Sequence, residues 1–171
     1  MTVPLLEVVN VTKRFPVRRT IGDRAHRRPG QQVAAVDGVS FRLTSGETLG
    51  IVGESGSGKS TLARCLVRLQ DADDGTITFD GIDVTNAAAR DLKRIHQRMQ
   101  MVFQDPYTSL NPRFSVRSTV LEAGRVHGRV EPGSDGAFVE GLLEMVGLPG
   151  RLAARRPREL SGGQRQRVAI A

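Results

Sequence analysis

The sequence of 171 residues contains no tryptophan, one tyrosine and one cysteine. A single thiol cannot form a disulfide within the chain, which excludes a small secreted fold held by disulfides. Cys65 falls in a predicted helix, and we interpret it as a packing residue rather than a redox group. No apolar run approaches the roughly 18 residues of a membrane span, and Met1 is not followed by a signal-peptide pattern. We therefore expect a soluble protein of a reducing compartment.

Lysine is also scarce, since it occurs only at positions 13, 59 and 93, and arginine carries most of the net charge of +7. A positive net charge is typical of proteins that bind nucleic acid or an anionic membrane surface. The arginines are spread along the chain, however, and the aromatic residues that stack on bases are few. We interpret the charge as solvated surface with a general affinity for phosphate, and we expect no nucleic-acid partner.

Residues 53–60 read GESGSGKS and fit the phosphate-loop pattern G-x-x-x-x-G-K-[ST]. The apolar residues 49–52 before them predict a buried parallel strand, and Leu62, Leu66 and Leu69 after them fall at helical spacing. Glycines let backbone N–H groups converge on an anion, and the helix N-terminus adds about half a positive charge. Lys59 can reach the β- and γ-phosphates of a nucleotide, and the Ser60 hydroxyl can ligate Mg2+. The alternative is a chance glycine-rich turn, which the strand–loop–helix order disfavours.

The rest of the chain alternates short extended segments with helices, which predicts an α/β fold with a mostly helical insertion around residues 106–160. Strands are predicted at residues 5–11, 33–36, 39–43, 76–79, 82–84 and 99–103. Helices are predicted after the phosphate loop and at residues 88–97, 116–126 and 135–146. Residues 18–30 are polar and aperiodic and predict an exposed loop or hairpin tip, and Asp37-Gly38 predicts a turn.

Two further motifs follow the phosphate loop. Gln104 directly follows a predicted strand, and Leu160-Ser161-Gly162-Gly163-Gln164 precedes a helix. The three motifs, in this order and with compact spacing, resemble the ATP-binding cassette (ABC) ATPases of transporters. Residues 101–113, MVFQDPYTSLNPR, closely resemble a segment of the oligopeptide and dipeptide importer ATPases and their nickel-importing relatives, as do residues 35–41 and 46–50. Arg156 and Arg158 depart from that subgroup, which usually has an aromatic residue and a histidine there.

The resemblance implies a P-loop NTPase (RecA-like) core with an antiparallel β subdomain and a helical insertion subdomain. It places the core with its β subdomain at residues 1–105, the helical subdomain at 106–160, and the signature motif with the start of its helix at 161–171. In the family an apolar strand then ends in an Asp for Mg2+ and a Glu for the attacking water, followed by a switch His. None of these lies within the 171 residues, so the resemblance implies a fold that is incomplete at its C-terminus.

The resemblance also assigns site residues for ATP and Mg2+. Phe15 would stack on adenine, the alternative being a hydrophobe at a strand end. Gln104 would contact Mg2+ and the attacking water, the alternative being a solvent-facing loop glutamine. The residues that would hold the phosphates and Mg2+ are Gly53, Ser55, Gly56, Ser57, Gly58, Lys59, Ser60 and Thr61. The residues that would grip the γ-phosphate bound to a partner subunit are Ser161, Gly162, Gly163 and Gln164; outside this context they would be a common turn and helix cap.

The function implied is that of an ATP-hydrolysing subunit of a peptide importer. Two cassettes, identical or paralogous, would close head to tail on ATP at the cytoplasmic face of the bacterial plasma membrane. They would contact integral membrane permease subunits, served by an extracytoplasmic substrate-binding protein. The alternative is a truncated or soluble nucleotide-binding module without turnover or transport. We expect the 171 residues alone to bind ATP and to hydrolyse it at most at a trace rate.

Overall fold

The computed structural model describes residues 3–17, 31–103 and 110–171. They belong to two compact units, Met1–Met101 and Val102–Ala171. The domain limits expected at residues 105 and 160 stay predictions. The exposed loop or hairpin tip predicted at residues 18–30 lies outside the described residues.

The first unit is built on a four-stranded sheet in the order β2-β1-β3-β4, with every neighbouring pair antiparallel. The strands are β1 (Leu6–Pro16), β2 (Gln32–Leu43), β3 (Asp74–Phe79) and β4 (Ile82–Asp83). The core of this unit consists of Leu6, Val8, Val11, Val36, Leu62, Cys65, Ile77, Phe79, Val84 and Ile95. The antiparallel β subdomain implied by the sequence is therefore present.

The long β1–β2 pair replaces the two short strands predicted between residues 33 and 43. Asp37 and Gly38 lie inside β2, so the turn predicted there is wrong. The register runs from Val11↔Val39 to Lys13↔Val36, which leaves one extra residue on β2, and Gly38 has a φ of 60°. This is a β-bulge, and the Thr12 hydroxyl accepts a hydrogen bond from the Gly38 N–H at 3.1 Å. The bulge satisfies the backbone locally, so the chain continues without reversing.

The hairpin predicted around Asp80-Gly81 is confirmed, since β3 and β4 pair antiparallel across these two residues. Asp80 has a φ of 48° and Gly81 a φ of 75°, the positive values that a type I′ turn requires.

Two helices accompany the sheet, α1 (Lys59–Leu66) and α2 (Ala89–His96). The first ends earlier than Leu69, which lies beyond the helix and is 55% exposed, so its predicted place on the apolar face is wrong. The cause is Arg68, whose φ of 55° breaks the helical path. Its guanidinium group bonds to the carbonyl oxygens of Val84 and Thr85, which fixes the reversal.

The strands predicted at residues 49–52 and 99–103 are not formed among the described residues. Val52 is 96% exposed and Val102 is 56% exposed, against the burial expected of core strands. An extended segment becomes a strand only when a neighbour accepts its backbone hydrogen bonds, and the described sheet, β2-β1-β3-β4, includes neither segment. Local apolar composition identifies such a segment but cannot supply its neighbour.

The second unit is helical and contains α3 (Val116–Val126), α4 (Asp135–Met145) and α5 (Gly162–Ile170), with short 3-10 turns at Gly150–Ala154 and Pro157–Glu159. Its core consists of Leu110, Val116, Val120, Leu121, Val139, Leu143, Leu148, Leu160 and Val168. The helices predicted at residues 116–126 and 135–146 are confirmed. Met145, predicted on the apolar face, is 76% exposed because the buried face of α4 runs through Val139 and Leu143. The helices of the described residues are all too short or too polar to span a membrane.

Candidate functional site

The phosphate-loop sequence forms a tight, exposed turn that leads into α1. The N–H of Ser57 donates to the Glu54 carbonyl oxygen at 3.2 Å, and Gly56 and Gly58 have φ values of 84° and 91°. Both angles lie in the left-handed region that side chains disfavour, which explains glycine at these two positions. The helix that follows starts with Gly58 as its N-cap residue.

Gly58 also lies directly against the sheet. A Cβ atom added there would lie 1.8 Å from the carbonyl oxygen of Ala35. Ala35 is the extra residue of a second irregularity in β2, because Lys13 pairs with Val36 while the next residue, Arg14, pairs with Ala34. The irregularity lets Ala35 face the loop, so β2 fixes where the helix N-terminus begins.

The ammonium group of Lys59 folds back over the loop. It donates to the carbonyl oxygens of Gly53 at 2.8 Å and Glu54 at 2.6 Å, and to the Ser57 hydroxyl at 3.2 Å. The same loop therefore brings together a cation and the first N–H groups of α1, which lack intrahelical partners. Such a combination binds anions, above all phosphate groups.

The buried side of α1 anchors this arrangement. Leu62 is 5% exposed and Cys65 is fully buried, and both pack in the core of the first unit. Burial raises the pKa of the Cys65 thiol, so the group stays protonated. The interpretation of Cys65 as a packing residue is confirmed.

Ser60 and Thr61 follow Lys59 in the first turn of α1, and the Ser60 side chain lies on the exposed surface. In residues 3–17, 31–103 and 110–171 no cluster of three or more His, Cys, Asp and Glu side chains could hold a metal ion. The Ser60 hydroxyl fits instead the common mode for Mg2+, in which few protein oxygens share the ion with substrate phosphates. Gln104, the other metal ligand expected from the sequence, lies outside the described residues.

Phe15 lies on β1 opposite Val33 and is 38% exposed. Val33 is two residues from Ala35 on β2, or about 7 Å along the strand at the usual rise. The β1–β2 pair therefore places Phe15 opposite a residue that lies two positions along β2 from the carbonyl oxygen that approaches the phosphate loop. Sequence reasoning missed the Ala35 contact because nothing in an alanine signals a backbone approach.

A cavity of about 610 Å3 lies between the phosphate loop and β2. Its lining includes residues 34–37 of β2, residues 49–53 and the start of α1, with Lys59 among them. Leu49 and Ile51 contribute apolar side chains, so most of this space is suited to apolar contacts. The anion-binding groups named above belong to its phosphate-loop side.

The signature residues lie in the second unit, at the start of α5. Ser161 is the N-cap: its hydroxyl accepts from the Gln164 N–H at 3.3 Å, and its N–H donates to the Gln164 side chain at 2.9 Å. This is a reciprocal capping box. A Cβ atom at Gly162 or Gly163 would meet nothing within 4 Å among the described residues. Packing inside the unit therefore does not explain why these two positions are glycines.

Comparison with known proteins gives the family. The ABC transporter family matches residues 36–171. The oligopeptide transport ATP-binding protein AppF of Bacillus subtilis is 46% identical over 98% of this chain, and the glutathione import ATP-binding protein GsiA of Escherichia coli is 47% identical over 98%. The chain spans 50% of the length of the first relative and 26% of the second.

Solved structures give the same result. The ATP-binding cassette MJ0796, in a dimeric post-hydrolysis state bound to ADP and Pi, superposes with a TM-score of 0.77 at 27% identity, covering 96% of this chain and 67% of the other. Clostridium perfringens cbiO1, part of the ABC transporter complex cbiONQ, gives 0.69 at 26% identity, covering 98% and 59%. The fold is thus that of the P-loop ABC ATPases, and the chain belongs to the ABC transporter family.

Proposed function

We propose that this chain binds ATP as part of an ATPase subunit of a peptide importer. The observation that carries the proposal is the phosphate loop, where Lys59 and the start of α1 converge on the Gly53–Gly58 turn. A cation and free N–H groups at one exposed point suit a triphosphate better than any uncharged ligand. The likeness to AppF, an oligopeptide transport ATP-binding protein by name, and to GsiA, a glutathione import ATP-binding protein by name, supports the importer assignment.

Each part of the loop has a role in this proposal. Lys59 leaves the Gly53 and Glu54 carbonyl oxygens and pairs with the β- and γ-phosphates, while N–H groups of the loop and of α1 donate to the phosphate oxygens. The Ser60 hydroxyl would hold Mg2+, and the other contacts would come from Ser55, Gly56, Ser57 and Thr61. Mg2+ supplies charge neutralisation for phosphoryl transfer when it is bound.

Gln104 is proposed to orient the attacking water and to contact the metal, because an amide can donate and accept hydrogen bonds at once. The carboxylate that removes the proton belongs, by the family pattern, to a segment that the 171 residues do not contain. For residues 1–171 alone we therefore propose ATP binding with at most a trace of hydrolysis. Turnover by the purified 171-residue chain that disappears in the Lys59→Ala variant would contradict this.

The signature residues are proposed to act on a second subunit. Ser161 and Gln164 cap α5 through each other, which leaves the N–H groups of Gly162 and Gly163 as donors for a phosphate brought by a partner. The bare surface at both glycines would let that phosphate approach the backbone. ATP would then join two cassettes head to tail, and hydrolysis would release them.

In the complete transporter the two cassettes would transmit this closure to integral membrane permease subunits. We propose a peripheral position on the cytoplasmic face of the bacterial plasma membrane, with peptides delivered by an extracytoplasmic binding protein. An uptake assay with labelled oligopeptides tests this step. It compares cells that carry the whole protein with cells that carry its Lys59→Ala variant. Peptide uptake that is independent of Lys59 would refute it.

ATP binding itself is tested by titrating a fluorescent ATP analogue into the purified chain in the presence of Mg2+. Saturable binding that unlabelled ATP and tripolyphosphate both displace is the expected result. Displacement by ATP but not by tripolyphosphate would place the affinity outside the phosphate loop, against the proposal.

A further inference from the structure

Lys13 is a nearly buried cation in the middle of β1, with 8% of its surface exposed. Its ammonium group lies 2.6 Å from Oδ1 of Asp73, and Oδ2 of the same carboxylate accepts the Arg14 N–H at 2.6 Å. The Asp73 N–H in turn donates to the Thr12 carbonyl oxygen at 2.8 Å. Three bonds therefore clamp Lys13 and its neighbours to the segment that precedes β3.

The clamped ammonium group also faces an aromatic ring. The Nζ atom of Lys13 lies 5.7 Å from the centroid of Phe15, two residues further along β1. This separation is within the range of a cation–π interaction, in which the ring face is attracted to the charge. The ring is still 38% exposed, so the cation covers one part of it and leaves another part open.

We propose that Lys13 is a positioning residue that holds Phe15 ready to stack on the adenine of ATP. The proposal rests on the function proposed above and adds a residue to its adenine side. Phe15 is the last residue but one of β1, and its partial exposure leaves room for the ring to change rotamer. An anchored cation over one face restricts the ring before the base arrives, and a ligand that meets an ordered partner binds more tightly.

The pairing with Asp73 suits this role. A free ammonium group would be drawn to the phosphates or to solvent, whereas the carboxylate holds it in place and offsets its charge. The carboxylate is itself held by the Arg14 N–H, so the position of Lys13 is set by backbone as well as side-chain contacts. None of these groups belongs to the phosphate loop. Variants of Lys13 or Asp73 can therefore test contacts to adenine separately from contacts to the phosphates.

The competing explanation is that Lys13 and Asp73 only tie β1 to the start of β3. A purely structural pair would affect all ligands of the site alike. A positioning residue affects only ligands that carry a base, and only when the ring is present. ATP and tripolyphosphate, measured on the same protein, distinguish the two.

The experiment measures the dissociation constants of ATP and of tripolyphosphate for the full chain and for its Lys13→Met variant, which keeps the apolar stem and removes the charge. We expect ATP to bind about threefold to tenfold more weakly and tripolyphosphate to change less than twofold. In the Phe15→Leu background Lys13→Met should have no further effect on ATP. The matched control is Lys93→Met, which removes the charge of an exposed lysine on α2.

An ATP-to-tripolyphosphate ratio that is unchanged by Lys13→Met, or that changes equally in the Phe15→Leu background, would overturn the proposal. Lys13→Arg keeps a cation beside the ring and should keep the ratio of the ATP dissociation constant to that of tripolyphosphate. Asp73→Asn frees the ammonium group and should raise that ratio. These two variants decide the matter if Lys13→Met does not fold. A wild-type chain that binds neither ligand, or binds both without Lys59, would instead refute the proposed function.

Discussion

Lys59 and Gly53, at opposite ends of the phosphate loop, are joined by a hydrogen bond of 2.8 Å from the ammonium group to the carbonyl oxygen. The bond closes the loop into a ring, and a second bond to the Glu54 carbonyl oxygen reinforces it. Lys59 can contact a phosphate only by exchanging these partners. The affinity for an anion is therefore the difference between two sets of hydrogen bonds rather than the strength of one.

Replacing Lys59 by alanine should weaken ATP binding about 10-fold to 100-fold, because a charge-assisted contact to the phosphates is lost. Titration of a fluorescent ATP analogue measures the change. Lys93→Ala, which removes an exposed lysine of α2, is the matched control and should bind as the wild type does. Equal affinity in the Lys59→Ala variant would contradict the phosphate-loop assignment.

Gly58→Ala should destabilise the first unit by roughly 3 kcal/mol, since it adds a clash with the Ala35 carbonyl oxygen to the strain of a positive φ. Gly56→Ala carries a similar φ but meets no atom within 4 Å, so it should cost only roughly 1 kcal/mol. Urea unfolding of both variants gives the comparison. An equal decrease in the free energy of unfolding for both variants would mean that contact with β2 does not restrict residue 58.

Ser161→Arg in the whole protein should leave ATP affinity unchanged and prevent ATP-dependent dimerisation, because a large cation would occupy the surface proposed to receive the partner's phosphate. Size-exclusion chromatography with ATP measures the dimer. Ser115→Arg is the matched control: Ser115 also caps a helix of the second unit, accepting from the Ser118 N–H at 3.1 Å, so it reports the loss of a cap alone. ATP-dependent dimers that persist in the Ser161→Arg variant would contradict the proposal that the signature residues contact ATP bound to a partner subunit.

The Lys13–Asp73 pair should make stability depend on pH. The Lys13 ammonium and the Arg14 N–H hold the pKa of Asp73 below its ordinary value of 3.8. A depressed pKa stabilises the folded state above the unfolded value, and that stabilisation is lost as the pH falls through the folded value. Asp73→Asn should therefore lower Tm at neutral pH, and the difference from wild type should shrink below about pH 4. A difference independent of pH would contradict the pairing.

Asp74→Asn is the matched control for that measurement. Its carboxylate accepts the N–H of the adjacent Gly75 at 2.8 Å, and in the described residues no lysine or arginine pairs with it. Asp74→Asn therefore removes the same charge as Asp73→Asn, but from a carboxylate that has no cationic partner among the described residues. Its Tm difference from wild type should vary less with pH than that of Asp73→Asn.

Local patterns were sufficient for much of the fold. The helix at Val116–Val126 and the Asp80-Gly81 hairpin follow from apolar periodicity and turn chemistry, which act between near neighbours. The strands predicted at residues 49–52 and 99–103 failed because a strand depends on a partner that local sequence does not contain. Asp37-Gly38 failed for a related reason, since the same dipeptide serves a turn or a bulge and the neighbouring strand decides which.

The candidate site also contains features that neighbouring residues determine and features that depend on distant residues. The turn at residues 53–60 and the helix that follows were predictable because the pattern is confined to eight consecutive residues, and the binding of phosphates by this loop stays a prediction. Lys13 and Ala35 were not, since the first acts through Asp73, 60 positions later, and the second through a carbonyl oxygen that any residue possesses. Gln104 stays a prediction, as do the roles of Phe15 and of the signature residues.

The irregularity at Ala35 has a consequence for insertions and deletions. Ala35 is the residue of β2 without a partner on β1, since Lys13 pairs with Val36 and Arg14 with Ala34. Deleting Ala35 would therefore give a regular ladder in which Val33 stays opposite Phe15, while it would remove the carbonyl oxygen that limits Gly58. The number of residues in β2 between Val33 and Val36 thus determines the phosphate side of the proposed site and leaves the adenine side in register. Substitutions there should be tolerated more readily than any change in the number of residues.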